Sequence, residues 1–476
     1  MFSVNTHKNY IYLSTVALIS LVVFATIYGT TLFIAALLLL LTFILFLKSP
    51  ELALAILFNG TLIYFYAVYK LGFQTNRIST GAFYGFLAFS FLLAEALLLS
   101  KEHANFRLSF VDILFSIFFL LFFLSYLAFS TDNDMAYKKI AYAPLLAVMP
   151  YFGSRFLLSE KRIKNFFKYS VFVAIILMPP AFYEHFFNPV LAQKTRFSMY
   201  FFENTNVKDN PILFGSTYAV LLIIVLVWML ESGKFTTINP FIIAASAYFI
   251  LLSGSRGVII SLLTAIIFYF SLISKIKLRT KIYASVFILF TFFGIYKYLL
   301  PERLANFYSY SISANALQDS GSSIHMRIVM WEQAIRDFVE NPIIGIGTGN
   351  SNNRSGFPHN IVLEVAAEFG VLGLLVFISL VYIIVRKAVV FLRNMQLSNS
   401  HMLMRLLLVL FIYFLTHAMF SGHMANQFRL YISVGLIACL DNLWRLRLPD
   451  RSVNSSVKNS DNFTKEELDV YNCEFC

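Results

Sequence analysis

Apolar runs of roughly 17 to 22 residues recur along most of this chain. A run of that length carries an α-helix across the hydrocarbon core of a bilayer with its backbone hydrogen bonds closed internally, whereas a soluble helix needs only one apolar stripe. Strands of a membrane barrel would alternate in character over about ten residues, a pattern this chain lacks. Composition agrees: 13% of the residues are charged and 59% are hydrophobic, too little charge to solvate a soluble protein of 476 residues. The expected fold is all-α, a polytopic membrane protein of about 12–14 transmembrane helices. The apolar segments lie at 10–29, 31–47, 52–70, 81–100, 108–129, 140–158, 167–187, 212–231, 240–255, 257–274, 282–300, 361–385, 406–421 and 427–444. The short segments 31–47 and 240–255 barely reach across a bilayer and read equally as hairpins or re-entrant pieces.

Basic residues orient the chain. With the N-terminus in the cytoplasm, Lys101/Arg107, Lys161/Arg162/Lys164/Lys168, Lys275/Lys277/Arg279/Lys281, Arg386/Lys387/Arg393/Arg405 and Arg445/Arg447/Arg451 share one side. About twenty Lys and Arg fall there in short loops, against about a dozen in the longer loops opposite. The net charge of +12 is thereby an orientation signal, and no nucleic-acid partner is expected. Lys8 ahead of Tyr10 to Tyr28 looks like a signal peptide, but a second span follows at once without a small-residue cleavage site, so it reads as an uncleaved first helix. An even helix count places both termini in the cytoplasm. Cys439 sits in an apolar run while Cys473 and Cys476 sit in a polar tail, which is no disulfide framework. Residues 1–448 read as one transmembrane domain, and 449–476, rich in Ser, Asn and charge, as a disordered cytoplasmic tail.

Two extracytoplasmic loops, 188–211 and 301–360, exceed what connecting helices requires, and function is expected there. In the longer one, Ile324, Ile328, Trp331, Ile335 and Phe338 recur at helical spacing, which predicts an amphipathic helix over 324–340 lying on the membrane surface or roofing the bundle. Asn341-Pro342 ends it, and Gly345, Gly347 and Gly349 mark sharp turns; no strand precedes them, so they are not a nucleotide-binding fingerprint.

Chemistry-bearing residues gather on the same side. Arg256, in the turn Ser253-Gly254-Ser255-Arg256-Gly257, reads either as a snorkelling membrane-edge arginine or as an anion site, where glycines admit close approach and guanidinium fits phosphate bidentately. Arg327, one turn before Trp331, carries the same two readings, and two arginines facing one cleft would hold a diphosphate better than either alone. His359, where the long loop re-enters the membrane, is a candidate general base, with Asn360 orienting it or its backbone. Glu364 and Glu368 would add a polar rim, and His185 and His423 could flank the cleft, although satisfied structural roles are as natural for all four. Glu95, Glu184 and His417 lie in or at the ends of spans, where polar groups often mark a pathway. Asp132-Asn133-Asp134 resembles a divalent-metal motif, but no third ligand is apparent, so neither metal nor other cofactor is expected.

The string Arg327-x-x-x-Trp331-x-x-Ala334-x-x-x-Phe338-x-x-Asn341-Pro342-x-x-Gly345-x-Gly347, followed by His359-Asn360 and Glu368-x-Gly370-x-x-Gly373, resembles the signature loop of the O-antigen ligase and polymerase family. Ser253-Gly254-Ser255-Arg256-Gly257 is similar to the arginine turn that precedes that loop, and Asn210-Pro211-x-x-Phe214-Gly215 to a segment seen more in ligases than in polymerases. The resemblance implies a metal-independent, inverting glycosyltransferase of the bacterial inner membrane, working at the periplasmic face on a glycan carried by undecaprenyl diphosphate. The acceptor it implies is lipid A–core oligosaccharide for a ligase and a second lipid-linked glycan for a polymerase. It also implies that Arg256 and Arg327 bind the donor diphosphate and that His359 is catalytic. A lipid-linked-sugar flippase or transporter would share the helix count, but it needs a central charged cavity, and no pair of broken helices occupies matching positions in two halves.

Overall fold

The computed structural model describes residues 44, 49–70, 108–131, 134–157, 159–194, 196–200, 210–233, 236–274, 276–300, 302, 306, 308–309, 323–353, 357–394 and 399–447. The expected spans at 10–29 and 81–100, nearly all of 31–47, the pair Asp132-Asn133, Glu95 and the tail 449–476 lie outside the described residues. All regular secondary structure among the described residues is helical. Helices α1 (Pro50–Lys70), α2 (Phe110–Phe129), α3 (Asp134–Ala143), α4 (Met149–Arg155), α5 (Glu160–Ile176) and α6 (Met178–Phe187) form the first part of the bundle. Helices α7 (Pro211–Ser232), α8 (Ile238–Leu252), α9 (Arg256–Phe268), α10 (Leu278–Gly294), α11 (Ser323–Glu340), α12 (Ile361–Asn394), α13 (Asn399–Ala418) and α14 (Phe428–Arg447) complete it. Among the described residues, seven stretches are long and apolar enough to cross a membrane, and the protein is a multi-pass membrane protein.

Side-chain chemistry sets where these helices start and how they pack. Ser109 and Asp112 close a reciprocal cap on α2, and the Asp112 carboxylate also accepts from Tyr151 at 2.5 Å and pairs with the fully buried Arg155 at 3.0 Å, tying α4 to the start of α2. The two faces of α2 differ: Val111, Phe115, Phe118 and Phe122 are buried, while Ile113, Leu120, Leu124 and Leu127 are exposed, as expected of a helix bathed in lipid on one side. Helices α7 and α13 are central, with 83% and 72% of their apolar windows buried, whereas α10 lies at the edge with 11%. Helix α7 packs on α8 and α13, and α13 packs on α9 and α14.

Polar contacts sort to the two ends of the bundle. One end joins Arg162 to Glu51, Ser400 to Glu160, Arg405 to Glu231, and Lys387 and Arg445 to Asp441. These include residues of the basic loops expected on the cytoplasmic side. The opposite end collects the long loops, with Lys70 paired to Glu184 and Thr131 bonded to Asn350.

Helix α12 is broken where the sequence shows only a continuous apolar run. Gly370 adopts φ 61°, ψ −157°, and the backbone groups freed on either side are taken by the loop after α11. Ile346 and Gly347 N–H donate to the carbonyls of Ala367 and Glu368, at 2.8 and 3.2 Å, while Val371 and Leu372 N–H donate to Pro342 and Ile343, at 2.7 and 3.3 Å. The glycines make this possible: a Cβ on Gly345 would collide with the Glu368 and Phe369 backbone, and one on Gly370 with the Ile343 backbone. The glycine series is thus a turning segment, as expected, and its specific task is to plug a helix break.

Candidate active site

Three arginines from separate segments meet at the loop end of the bundle. Arg256 opens α9, Arg327 lies on α11, and Arg196 belongs to the segment after α6; all three line one cleft with Gly254, Ser255, Gly257 and His417. The arginine turn is locked by its neighbours: the buried Ser253 hydroxyl donates to Ile250 O at 2.6 Å and accepts from Ser255 N–H at 3.2 Å, and Gly254 turns the chain at φ 61°. A Cβ on Gly257 would stand 2.8 Å from the Phe420 side chain, so glycine lets α9 approach the end of α13. Tyr308, buried beside Arg196 and Arg256, donates its hydroxyl to Leu251 O at 2.9 Å and so closes the floor of the turn.

Arg327 is positioned by α11, the helix expected over 324–340. Ala334 and Asp337 are buried while Ile335 is 51% exposed, because small Ala334 admits close packing on α12 and Gln333 bonds the Asp337 carboxylate at 2.8 Å. The stripe Arg327–Trp331–Ala334–Phe338 faces the bundle at i, i+4, i+7 spacing, and Met326, Ile335 and Val339 stay exposed, an apolar outer face of the kind that lies on a membrane surface. Burial, and then the neighbouring Arg256 and Arg196 guanidinium groups, push the Arg327 pKa down, yet a guanidinium remains charged at neutral pH. Guanidinium groups gathered at one cleft and partly withdrawn from solvent form a site that suits an anion.

His359 stands beside this cleft rather than in its wall. Trp331 Nε1 donates to Pro358 O at 2.8 Å, pinning the histidine's neighbour to α11 one turn beyond Arg327. His359 is the one non-glycine residue with positive φ among those described, at 51°, a strained conformation of the sort that accumulates at functional sites. Its ring packs on Phe357 at 4.1 Å. Burial, then the charge of Arg327, lower its pKa to about 4, so the free imidazole is neutral at pH 7.

Residues 241–378 match the family model described as O-antigen ligase. Over that segment the chain is similar to the O-antigen ligase family. A comparison with curated proteins gives no match. The O-antigen ligase segment includes α9, α11 and most of α12, hence Arg256, Arg327 and His359, while Arg196, His417 and His423 lie outside it. The match supports ligase or polymerase chemistry on lipid-linked glycans in general.

The remaining expected residues divide by environment. Asn360 caps α12, its Oδ1 accepting from Val362 and Leu363 N–H at 3.0 and 3.3 Å, and so orients backbone next to His359. Glu364 and Glu368 do not rim the cleft. Both are fully buried and clamp Lys139 of α3, each at 2.5 Å, while Met424 N–H donates to Glu364 and Ser351 to Glu368, both at 2.8 Å. Their place beneath the site follows from α12 being roofed by α11 and flanked by α3, so its first turns face protein instead of water. His423 is close to His359, stacking on Tyr142 at 6.2 Å and meeting Phe357 edge-on at 5.8 Å. Burial, then Lys139, His359 and Lys138, hold its pKa at about 3. His185 instead packs among Phe186, Phe197 and Tyr248, and Glu184 pairs with Lys70. Among the described residues no three His, Cys, Asp or Glu side chains come together as metal ligands. Arg196 escaped sequence reasoning; the available signal was the excess length of the 188–211 loop.

Proposed function

We propose that the protein is an O-antigen ligase of the bacterial inner membrane, transferring a glycan from undecaprenyl diphosphate to lipid A–core oligosaccharide at the periplasmic face by an inverting, metal-independent route. The single observation that carries this reading is the meeting of Arg196, Arg256 and Arg327 around one cleft, with the His359 imidazole next to Arg327. Fixed guanidinium groups suit a diphosphate, and they supply the positive charge that its departure calls for. The acceptor hydroxyl oxygen bonds to the anomeric carbon on the face opposite the diphosphate. The bond from that carbon to the diphosphate oxygen breaks, and its electron pair stays with the diphosphate. The hydroxyl proton passes to His359. A pKa of about 4 makes the imidazole a weak base in the free protein; a bound diphosphate offsets the Arg327 charge and raises it toward the working range.

The test is transfer of labelled undecaprenyl-diphosphate glycan by the full chain in proteoliposomes. Arg256→Ala and Arg327→Ala are each expected to lower the rate by about 10²-fold or more; near-wild-type transfer by either folded variant rejects the reading. In cells lacking the protein, lipopolysaccharide core without attached polymer is the expected product. Core capped by a single repeat would instead identify a polymerase, and movement of the labelled lipid without transfer would identify a flippase.

A further inference from the structure

A second chamber of about 240 Å³ opens next to the arginine cleft, and the two share Ile212, His417 and Ser421 in their walls. Its character differs from the cleft's. Asn426, Gln427, Ser216 and Ser421 offer amides and hydroxyls, the rings of Tyr142 and Phe414 supply flat apolar surface, and the one guanidinium in the lining, Arg429, donates to Phe58 O, Ser216 Oγ and Thr217 Oγ1. Amides and hydroxyls answer the hydroxyl groups of a sugar, and aromatic rings cover its C–H faces. The described lining residues include no carboxylate.

Independent of shape, one polar atom in the shared wall is unanswered. His417 packs its ring on Tyr413 at 5.8 Å, and its buried Nε2 has no hydrogen-bond partner among the described residues. A buried polar nitrogen left in this way is costly unless a ligand or water meets it. The chamber also reaches the proposed base from its far side: Tyr142 stacks on His423, His423 meets Phe357, and Phe357 packs on His359.

We infer that this chamber binds the terminal sugar of the acceptor glycan, with His417 hydrogen-bonding one of its hydroxyls where the chamber meets the arginine cleft. The inference rests on the transferase reading above. An inverting displacement needs the acceptor hydroxyl on the side of the anomeric carbon away from the diphosphate, and a polar, aromatic-lined space that shares a wall of Ile212, His417 and Ser421 with the anion cleft meets that requirement. The Asn210-Pro211 segment, which begins at Asn210 in the chamber lining, thereby acquires a role: its cap on α7, Asn210 Oδ1 accepting from Leu213 N–H at 3.0 Å, shapes the wall.

Two variants test it in the full chain. His417→Gln alters the unpartnered nitrogen, and Asn426→Trp fills the chamber from an exposed position on its rim. Transfer kinetics are measured with donor and acceptor varied separately, and saturation-transfer NMR follows core oligosaccharide from the source strain binding to donor-free protein. Both variants are expected to raise acceptor KM at least tenfold, to leave donor KM within twofold, and to abolish saturation transfer. Unchanged acceptor KM in both folded variants overturns the inference, as does a rise confined to donor KM, which would give the chamber to the donor glycan. Wild-type protein that binds the oligosaccharide but never transfers a glycan to it would leave the chamber standing and sink the transferase reading. Wild-type protein that transfers without chamber-dependent binding would do the reverse.

Discussion

His359 is set by three residues that never touch the chemistry: Trp331 holds the carbonyl before it, Asn360 caps the helix after it, and Phe357 packs against its ring. That clamp sustains a left-handed backbone in a residue other than glycine, at a cost of about 1–2 kcal/mol. The imidazole must be neutral to accept a proton. Because burial and Arg327 lower its pKa to about 4, kcat/KM for transfer is expected to hold as pH falls from 7 and to drop through about pH 4. The profile of kcat, which reports the donor-bound protein, should fall at a higher pH, since diphosphate raises the same pKa. Residual transfer by His359→Gln should lack this acid limb; an identical limb in that variant would assign it to another group. Residue identities were legible here, since Arg256, Arg327 and His359 stand out in the sequence. Arg196 was not legible, because a loop arginine carries no local mark of the partners that a folded chain brings to it.

The broken helix α12 shows what elements contribute. A continuous apolar run hides the break because hydropathy registers side chains, while the break consists of backbone groups whose partners lie more than twenty residues upstream in the chain. Gly370→Ala would place a Cβ against the Ile343 backbone at positive φ, costing about 1–3 kcal/mol through overpacking alone. The expected result is a lowered unfolding temperature of the detergent-purified protein together with reduced transfer, since the plug connects α11, with Arg327, to α12. Gly294→Ala is the control: nothing stands within 4 Å of a Cβ there, and the helix should gain slightly. Equal melting of the two variants would remove the break from the list of structural requirements. The amphipathic helix α11 was legible in position to within a residue, whereas the side that meets protein was not. Periodicity finds the apolar residues, but a helix caught between protein and membrane surface has two partners, and the small and polar side can be the one that meets protein.

Across the whole molecule, Lys139 with Glu364 and Glu368 joins α3 to α12 beneath the site, and Met424 N–H extends the connection to the segment before α14. Lys139→Met would leave two carboxylates buried without their cation; breaking a buried pair costs roughly 3–5 kcal/mol, and the expected outcome is loss of folded protein on size-exclusion chromatography. Orientation is tested at the same scale. Glu332→Cys on exposed α11 should react with a membrane-impermeant maleimide in intact spheroplasts, while native Cys473, Cys476 and an introduced Lys277→Cys should react only after permeabilisation. Labelling with the opposite pattern would invert the topology. From the sequence alone followed the helical class, the lipid solvent, the sided distribution of basic residues and the choice of three candidate residues, because hydropathy, charge and motif are properties of short stretches of chain. Only the folded chain could decide that three arginines share a cleft, that Glu364 and Glu368 hold Lys139 instead of rimming it, and that α12 opens to receive a loop. Each of those depends on contacts between segments distant in sequence, where burial and charge become properties of the surroundings a residue meets.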